Sequence, residues 1–395
     1  MSIALPIAGA RRGACPSLDA PMQTGDGLLA RLRVAGGRLT PAALGKLASI
    51  AGSFGNGAIE ITARGNLQVR GLRAAGAAPF ARAVEAVVGI ERGLVVETPP
   101  LAGSDPYEVL DPRPLARTIR DGSAALAPRL GPKVTVIVDG NGQLNLADLK
   151  TDIRLVATAG GFWTITAGRH YFGATAQPAQ ATLAVLSLLA SHGPDARATD
   201  LDHIQLLAAL GHLCTDAAAP LQPGTTPIGR LDLKTTGVVG LALPFGASPF
   251  RALVDLAAMA PRHGVTEFRL APHHALLAIG ADSRLIEELA DSDFIIDPAD
   301  PRRRISACIG SAGCGSGHIA ARQIASRLAG IMDHHADLHV AGCAKGCAHP
   351  RRAALTLVGR PDGYGLVISG TAGDTPVTVL RADQLEIALG AAAQG

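Results

Sequence analysis

The chain contains the same order of structural signals twice, and this internal repeat limits its possible folds more than any other feature. In the first copy, residues 28–33 alternate between apolar and basic side chains, which indicates a strand. A glycine pair predicts a turn. Thr40 followed by Pro41 then predicts a helix start, because threonine caps helix N-termini and proline fits the first helical position. The β-branched segment 59–62 predicts the next strand.

The second copy repeats these signals in the same order. Residues 238–243 predict a strand, which a short turn follows. Ser248 and Pro249 predict the start of a helix that continues to Met259. A further strand is expected over residues 264–268. The matching order favours two related halves, and the alternative is a chance match of the kind that any α/β chain can produce.

The later part of each half also corresponds. Strands are expected over 134–139, 153–156 and 162–166 in one half, and over 338–341, 354–358 and 364–369 in the other. Helices are expected over 178–189 and 318–332, and a linker rich in Pro, Gly and Thr over 217–227 separates the halves. Because ligand sites often lie between domains, we expect a site at the seam between the halves.

Composition excludes several classes of protein. The length of 395 residues is enough for two or three domains. Lys and Arg number 36 against 33 acidic residues, which is far from the dense positive charge of a nucleic-acid binder. The best uncharged apolar run, 181–190, is shorter than the roughly 18 residues of a membrane span. Arg11 and Arg12 follow the apolar start instead of preceding it, unlike a secretory signal. We therefore expect neither a nucleic-acid nor a membrane partner.

Four cysteines lie close together near the C-terminus, in the patterns C-x5-C and C-x3-C: Cys308, Cys314, Cys343 and Cys347. Such clustering in a long chain indicates metal binding in a reducing compartment, so a cytoplasmic location is expected. Glycines beside every thiol would let backbone amides point at a shared centre, which suits an iron–sulfur cluster. Structural zinc more often uses tighter spacings, and four ordinary free thiols are the third interpretation.

The remaining thiols and histidines have weaker assignments. Cys214 follows an apolar stretch and is expected to be a structural thiol, whereas Cys15 has no chemistry that we can assign. A non-haem iron site needs two histidines and a carboxylate. Asp333 with His334, His335 or His339 could supply one, but a solvated loop at a helix end is the simpler interpretation.

A basic motif occupies residues 62–71 of the first half. As a strand–turn–strand, it places Arg64 near the turn and puts Gln68 and Arg70 on one face. Lys133 opens another strand later in the same half. Arginines of this kind form paired hydrogen bonds with carboxylates. From spacing alone, however, surface solubility is the simpler explanation.

The combination of these motifs resembles the sulfite/nitrite reductase hemoprotein superfamily. That family is a pseudo-twofold duplication with the pattern T-x-R-(Q/G)-(N/T)-x-Q in its first half and the two cysteine patterns in its second. The likeness extends in order over nearly the whole chain. It implies an α+β, internally duplicated reductase-like fold with mixed sheets flanked by helices. The implied segments are two ferredoxin-like half repeats, 1–110 and 217–300, and two reductase-like α/β domains, 111–216 without a cluster and 301–395 with one.

The resemblance also implies roles for single residues. Cys308, Cys314, Cys343 and Cys347 would hold a 4Fe–4S cluster. Arg64 matches the arginine that faces the anion, and Lys133 matches the first lysine of a paired-lysine strand. The second lysine is replaced by Thr135, and a second anion-binding arginine has no counterpart. These losses favour the monooxygenase branch of aerobic cobalamin biosynthesis, whose likeness includes residues 13–16, 25–29, 100–106 and 342–350.

That branch implies a substrate and co-substrates. Precorrin-3A, a tetrapyrrole with many carboxylates, would be hydroxylated at C20 with O2 and an electron donor such as NADH acting through a reductase. An acetate arm would close a γ-lactone. Arg64, Gln68, Arg70 and Lys133 would bind the carboxylates, and a non-haem iron is one candidate for the oxygen-activating centre. The alternative enzyme is a sirohaem-dependent sulfite or nitrite reductase, and the non-enzyme alternative is an iron–sulfur electron carrier.

Overall fold

The computed structural model describes residues 15–222, 226–233, 236–331 and 336–393. The strands in these residues are β1 (Met22–Thr24), β2 (Gly27–Leu32), β3 (Arg38–Leu39), β4 (Ala58–Ile61), β5 (Leu67–Leu72), β6 (Val95–Glu97), β7 (Thr135–Asp139), β8 (Ile153–Ala157), β9 (Trp163–Ala167), β10 (His170–Thr175), β11 (Gly229–Asp232), β12 (Gly237–Ala242), β13 (Ala247–Pro249), β14 (Glu267–Ala271), β15 (Ala275–Ile279), β16 (Ile305–Ala307), β17 (Leu338–Ala341), β18 (Ala353–Arg360), β19 (Gly363–Gly370) and β20 (Thr378–Leu380). The helices there are α1 (Pro41–Phe54), α2 (Ala77–Glu85), α3 (Arg113–Gly122), α4 (Pro178–His192), α5 (His203–Leu210), α6 (Phe250–Met259), α7 (Arg284–Leu289), α8 (Ala321–Ala329) and α9 (Leu385–Ala393).

Two five-stranded sheets exchange a strand between the halves. The first exchange sheet has the order β1-β2-β5-β4-β13, and the second has the order β11-β12-β15-β14-β3. In the first, Ser248 of β13 pairs with Ile59 of β4, and in the second, Leu39 of β3 pairs with Phe268 of β14. Helices α1 and α6 pack against each other, and one apolar core contains buried residues of both halves. The halves therefore share their central core.

The other two sheets have the same topology as each other. The first α/β sheet has the order β10-β9-β8-β7-β6, and the second has the order β16-β17-β18-β19-β20. In each sheet, the first three strands along the chain are parallel, and the two that follow pair antiparallel. Helices α3 and α4 pack on the first, and α8 and α9 pack on the second. The duplication expected from the sequence thus extends through both parts of each half.

The element predictions hold for most segments, with two differences. Helix α1 begins as predicted, and the Ala43 amide donates to the Thr40 hydroxyl over 3.1 Å. The helix expected to open at Ser248 and Pro249 is α6, which ends at Met259 as predicted but begins at Phe250. Ser248 and Pro249 themselves belong to β13, where Ser248 pairs with the first half and is buried. The helix expected over 318–332 is shorter, since α8 ends before Gly330.

Other sequence expectations stand as follows. Residues 217–222 and 226–227 of the predicted linker form no helix or strand. Across the described part of the chain, no helix is both long and apolar enough to cross a membrane. The division into four segments at residues 110, 216 and 300 stays a prediction.

Candidate active site between the two halves

The strands of the second α/β sheet bring the two cysteine patterns together. Cys308 directly follows β16, and Cys343 lies two residues after β17. These strands are parallel neighbours, so their carboxyl ends meet at one edge of the sheet. There the Gly342 amide donates to Cys308 Sγ over 3.1 Å. A side chain at Gly342 would collide with the backbone of Gly310, because a Cβ there would lie 2.7 Å from its Cα.

Cys347 lies within electrostatic range of the other three thiols. The pKa of Cys347 is raised first by burial and then by the charges of Cys308, Cys343 and Cys314. A set of four thiols with a backbone N–H already directed at one sulfur fits an iron–sulfur cluster. Their sulfur atoms do not converge on one ion-sized point: in the described residues, no three His, Cys, Asp or Glu side chains could hold a single metal ion.

A buried histidine lies next to this edge. His339 of β17 is fully buried, and within the described chain neither ring nitrogen has a hydrogen-bond partner. Burial, followed by the charge of His349, lowers the pKa of His339 to about 4, and the two rings are 5.7 Å apart. Asp333, His334 and His335, the other predicted iron ligands, lie outside the described residues.

Arg64 lies where the first exchange sheet meets the first α/β sheet. It occupies the turn between β4 and β5, and its Nε donates to Glu97 Oε1 over 3.0 Å. Its Nη2 also donates to the second oxygen of Glu97, and its Nη1 donates to the Lys150 carbonyl over 2.7 Å. The side chain stays 29% exposed, so a ligand can still approach it. A cavity of about 90 Å³ adjoins it.

Gln68 belongs to a buried polar chain between the halves. Its Oε1 accepts from Arg31 Nη2 over 3.1 Å, and its Nε2 donates to Glu60 over 2.5 Å. Glu60 in turn pairs with Arg322 of α8 over 2.7 Å. The network therefore joins the first exchange sheet to the domain that contains the cysteines.

Arg70 lies on the same face of β5 as Gln68 and is buried. It pairs with Asp26, and its Nη2 donates to the Gly313 carbonyl over 2.8 Å. Gly313 lies in the loop between Cys308 and Cys314. Arg70 of the first half thus touches the cysteine loop of the second half.

Lys133 lies apart from these three residues. It is exposed in the turn before β7, and in the described residues no ion pair includes it. Thr135, at the position of the second family lysine, donates its hydroxyl to Thr151 over 3.2 Å. The structure therefore brings Arg64, Gln68 and Arg70 to the seam, while no contact of the described residues places Lys133 there.

Sequence reasoning missed further arginines at this seam. Burial lowers the pKa of Arg31 and of Arg154, and the positive charge of Arg64 lowers both further. Arg154 is held by the carbonyls of Leu146, over 2.8 Å, and Leu149, over 2.5 Å. Arg31 belongs to the alternating strand 28–33, but only the tertiary fold shows that it faces Gln68.

The hairpin turn of the second half meets the Arg64 turn. The His273 amide donates to the Ala63 carbonyl over 3.0 Å, and His274 Nδ1 lies 2.6 Å from the Ile61 carbonyl. Both histidines have left-handed backbone conformations, with φ of 61° and 65°. Such conformations are uncommon outside glycine and often occur at functional sites.

A wider cleft of about 590 Å³ opens beside Cys343, with Lys345, Arg360 and Asp374 in its wall.

Comparison with known proteins agrees with this architecture. The family model of the nitrite/sulfite reductase ferredoxin-like half domain matches residues 20–87. The solved structure of the Mycobacterium tuberculosis NirA protein is similar at a TM-score of 0.71 and 20% identity, covering 91% of this chain and 79% of that chain. The four sheets therefore have the nitrite and sulfite reductase fold, and the predicted α+β class is confirmed.

Two curated relatives narrow the assignment. Precorrin-3B synthase of Sinorhizobium sp is 41% identical over 396 residues, which span 94% of this chain and 85% of the relative. Ferredoxin–nitrite reductase of Synechococcus elongatus is 26% identical, over 85% of this chain and 77% of the relative. The chain belongs to the precorrin-3B synthase family.

Proposed function

We propose that the chain is a precorrin-3B synthase, an oxidoreductase of aerobic cobalamin biosynthesis. It hydroxylates precorrin-3A at C20 with O2, and an acetate arm closes the γ-lactone of precorrin-3B. One oxygen atom enters the product and the other becomes water, with two electrons from a donor such as NADH acting through a reductase. The observation that supports this most is the 41% identity over 94% of the chain.

The guanidinium groups at the seam suit a substrate with many carboxylates. Arg64 keeps an exposed fraction there, and Arg31 and Arg154 lie within electrostatic range of it. Arg64 and Lys133 are the proposed carboxylate contacts, and each charged hydrogen bond contributes roughly 1.5–3 kcal/mol. Gln68 and Arg70 were expected to join them. Gln68 is engaged with Arg31 and Glu60, and the Nε and Nη2 groups of Arg70 are engaged with Asp26 and Gly313.

Cys308, Cys314, Cys343 and Cys347 are the proposed ligands of a 4Fe–4S cluster. When bound, such a cluster supplies one-electron transfer. The Gly342 amide, already on Cys308 Sγ, would stabilise the charged sulfur. The proposed cytoplasmic location follows from the need for reduced thiols. A non-haem iron stays one candidate for the oxygen-activating centre, with His339 as one candidate ligand.

A sirohaem-dependent nitrite or sulfite reductase is the second candidate, favoured by the nitrite reductase relatives and by the fold. In that case Cys347 would hold both cluster and sirohaem. The replacement of the second family lysine by Thr135 weakens this candidate, since one cation for a bound oxyanion is missing.

One experiment separates the candidates. Protein purified without oxygen is analysed for iron and sulfide, and its absorption spectrum is recorded. It is then incubated with precorrin-3A and a reductant in air. The synthase gives a product heavier by one oxygen atom. A Soret band with an intense chlorin band, together with nitrite or sulfite reduction, would instead identify the reductase.

A further inference from the structure

The turn between β1 and β2 lies directly against the loop that joins Cys308 and Cys314. A Cβ at Gly25 would lie 2.5 Å from the Gly315 nitrogen and 2.9 Å from the Cys314 carbonyl carbon. A Cβ at Gly313 would lie 2.8 Å from Asp26 Oδ2. A side chain at Gly25 would collide with the backbone of the cysteine loop, whereas one at Gly313 would collide with the Asp26 side chain. The two backbones, which come from opposite halves, therefore pack in direct contact.

The buried ion pair of Arg70 and Asp26 stabilises this contact. Arg70 donates from Nη2 to Asp26 Oδ1 over 3.1 Å and from Nε to Oδ2 over 3.3 Å. The same Nη2 donates to the Gly313 carbonyl over 2.8 Å. The two charged side chains are only 9% and 12% exposed.

Asp26 is fixed by neutral partners as well. The Thr24 hydroxyl donates to Oδ1 over 2.7 Å, and the Asn56 amide donates to Oδ2 over 2.9 Å. Buried charges persist when they are paired and hydrogen-bonded in this way. The pair is therefore a fixed arrangement of one cation and one anion at the cysteine loop.

We propose that Arg70 and Asp26 are positioning residues that hold the Cys308–Cys314 loop and set the reduction potential of the cluster bound there. This inference rests on the cluster of the proposed function. Cluster potentials depend on nearby charge and on hydrogen bonds, and charges act strongly where water is excluded. The inference gives Arg70 a role other than the carboxylate contact that was expected from the sequence.

The charges of the pair predict shifts of opposite sign. Reduction makes a cluster more negative. Arg70→Met removes the cation that favours this extra negative charge, so the midpoint potential falls. In Asp26→Asn, the Arg70 cation remains without the opposing anion. It favours the extra negative charge of the reduced cluster, so the midpoint potential rises. A merely structural role would loosen the loop in both variants and would not separate their potentials.

The test is a redox titration of the full-length protein, purified without oxygen and followed by electron paramagnetic resonance. Wild type is compared with Arg70→Met, Arg70→Lys and Asp26→Asn. Arg92→Met serves as the control, because Arg92 forms an exposed pair with Asp19 in the same half. Iron release to a chelator is measured on the same samples. We expect a lower potential and faster release in Arg70→Met, a higher potential in Asp26→Asn, a smaller change in Arg70→Lys and none in Arg92→Met.

The following results would overturn the inference. Wild-type potentials in Asp26→Asn and Arg70→Lys would do so even if Arg70→Met failed to fold. Shifts of the same sign in the Arg70 and Asp26 variants would also do so. A wild-type protein without any cluster would overturn this inference together with the proposed cluster. A wild-type cluster with unshifted variants would overturn this inference alone.

Discussion

Arg64 and Glu97 hold each other by two parallel hydrogen bonds, although Arg64 lies in the β4–β5 turn of the first exchange sheet and Glu97 lies in the first α/β sheet. The arginine expected to meet an anionic ligand is therefore already paired inside the protein. A ligand carboxylate has to compete with Glu97 or share the guanidinium with it. The affinity for an anion at this seam consequently depends on both residues.

Arg64→Leu should weaken precorrin-3A binding while the cluster absorbance stays unchanged. The loss of a charged hydrogen bond corresponds to roughly 1.5–3 kcal/mol, or about tenfold to 150-fold in affinity. Anaerobic titration of substrate into the protein measures this. Arg92→Leu is the control for loss of a surface charge. An unchanged affinity would remove Arg64 from the binding site.

Glu97→Gln should have the opposite effect. The neutral amide no longer competes as a charged acceptor, so Arg64 is freer to bind a substrate carboxylate. We expect tighter binding in the same titration, together with a small loss of folding stability because a partly buried ion pair is broken. The double variant with Arg64→Leu should lose the gain. A gain that persisted there would mean that Glu97 acts on another group.

Replacement of Cys343 or Cys347 by serine should abolish the broad visible absorbance of the cluster and the enzyme activity together. Serine removes the thiolate that iron prefers. Cys214→Ser is the matched control, since Cys214 packs against the core of the first α/β sheet. Spectra and sulfide analysis of the purified variants provide the measurement. Full absorbance in either variant would contradict the ligand assignment.

Gly25→Ala should destabilise the contact between the β1–β2 turn and the cysteine loop. Overpacking of this kind typically costs about 1–3 kcal/mol. Gly330→Ala is the control, because nothing lies within 4 Å of a Cβ there and the backbone is helical. Denaturant unfolding and the rate of iron release are measured for both. Equal stability of the two variants would show that the close approach at Gly25 can relax.

Glu108 gives the protein a pH dependence outside the proposed site. Burial, with Asp111 and Asp105 adding to it, raises the pKa of Glu108 to about 7 despite the hydrogen bond from the Gly103 amide. The folded state therefore holds this proton at a pH where the unfolded state has lost it, above roughly pH 4.3. The free energy of unfolding should fall as the pH rises from about 4.5 to about 7.

Glu108→Gln should remove this slope. The variant should be more stable than wild type above pH 7, by about 1–3 kcal/mol, and similar to it below pH 4.5. Denaturant unfolding at several pH values measures the effect, with the exposed Glu85→Gln as the control. Parallel stability curves for wild type and Glu108→Gln would argue against a buried, protonated carboxyl.

Short sequence patterns predicted the helix and strand ends that depend on neighbouring residues. Thr40 and Pro41 identified the start of α1 because a cap acts within one helical turn. The same type of signal correctly predicted α6 but placed its start too early, because Ser248 pairs with Ile59 far away in the chain. No local pattern contains that information.

The candidate site also combines features that the sequence predicted with features that only the tertiary structure shows. The cysteine spacing predicted a shared centre, and the parallel pairing of β16 with β17 brings the two patterns together. The partners of the arginines could not be predicted, because Glu97 meets Arg64 and Gly313 meets Arg70 only through tertiary packing. Basic residues are recognisable in a sequence, but their counter-charges are not.

The exchange of β3 and β13 means that each half completes the other's sheet. A fragment cut at the linker would leave one sheet without an edge strand, and only its complement could restore it. An ancestral protein with a single copy would have had to form a symmetric homodimer to satisfy the same pairing. Fusion of two such genes would have freed the copies to diverge.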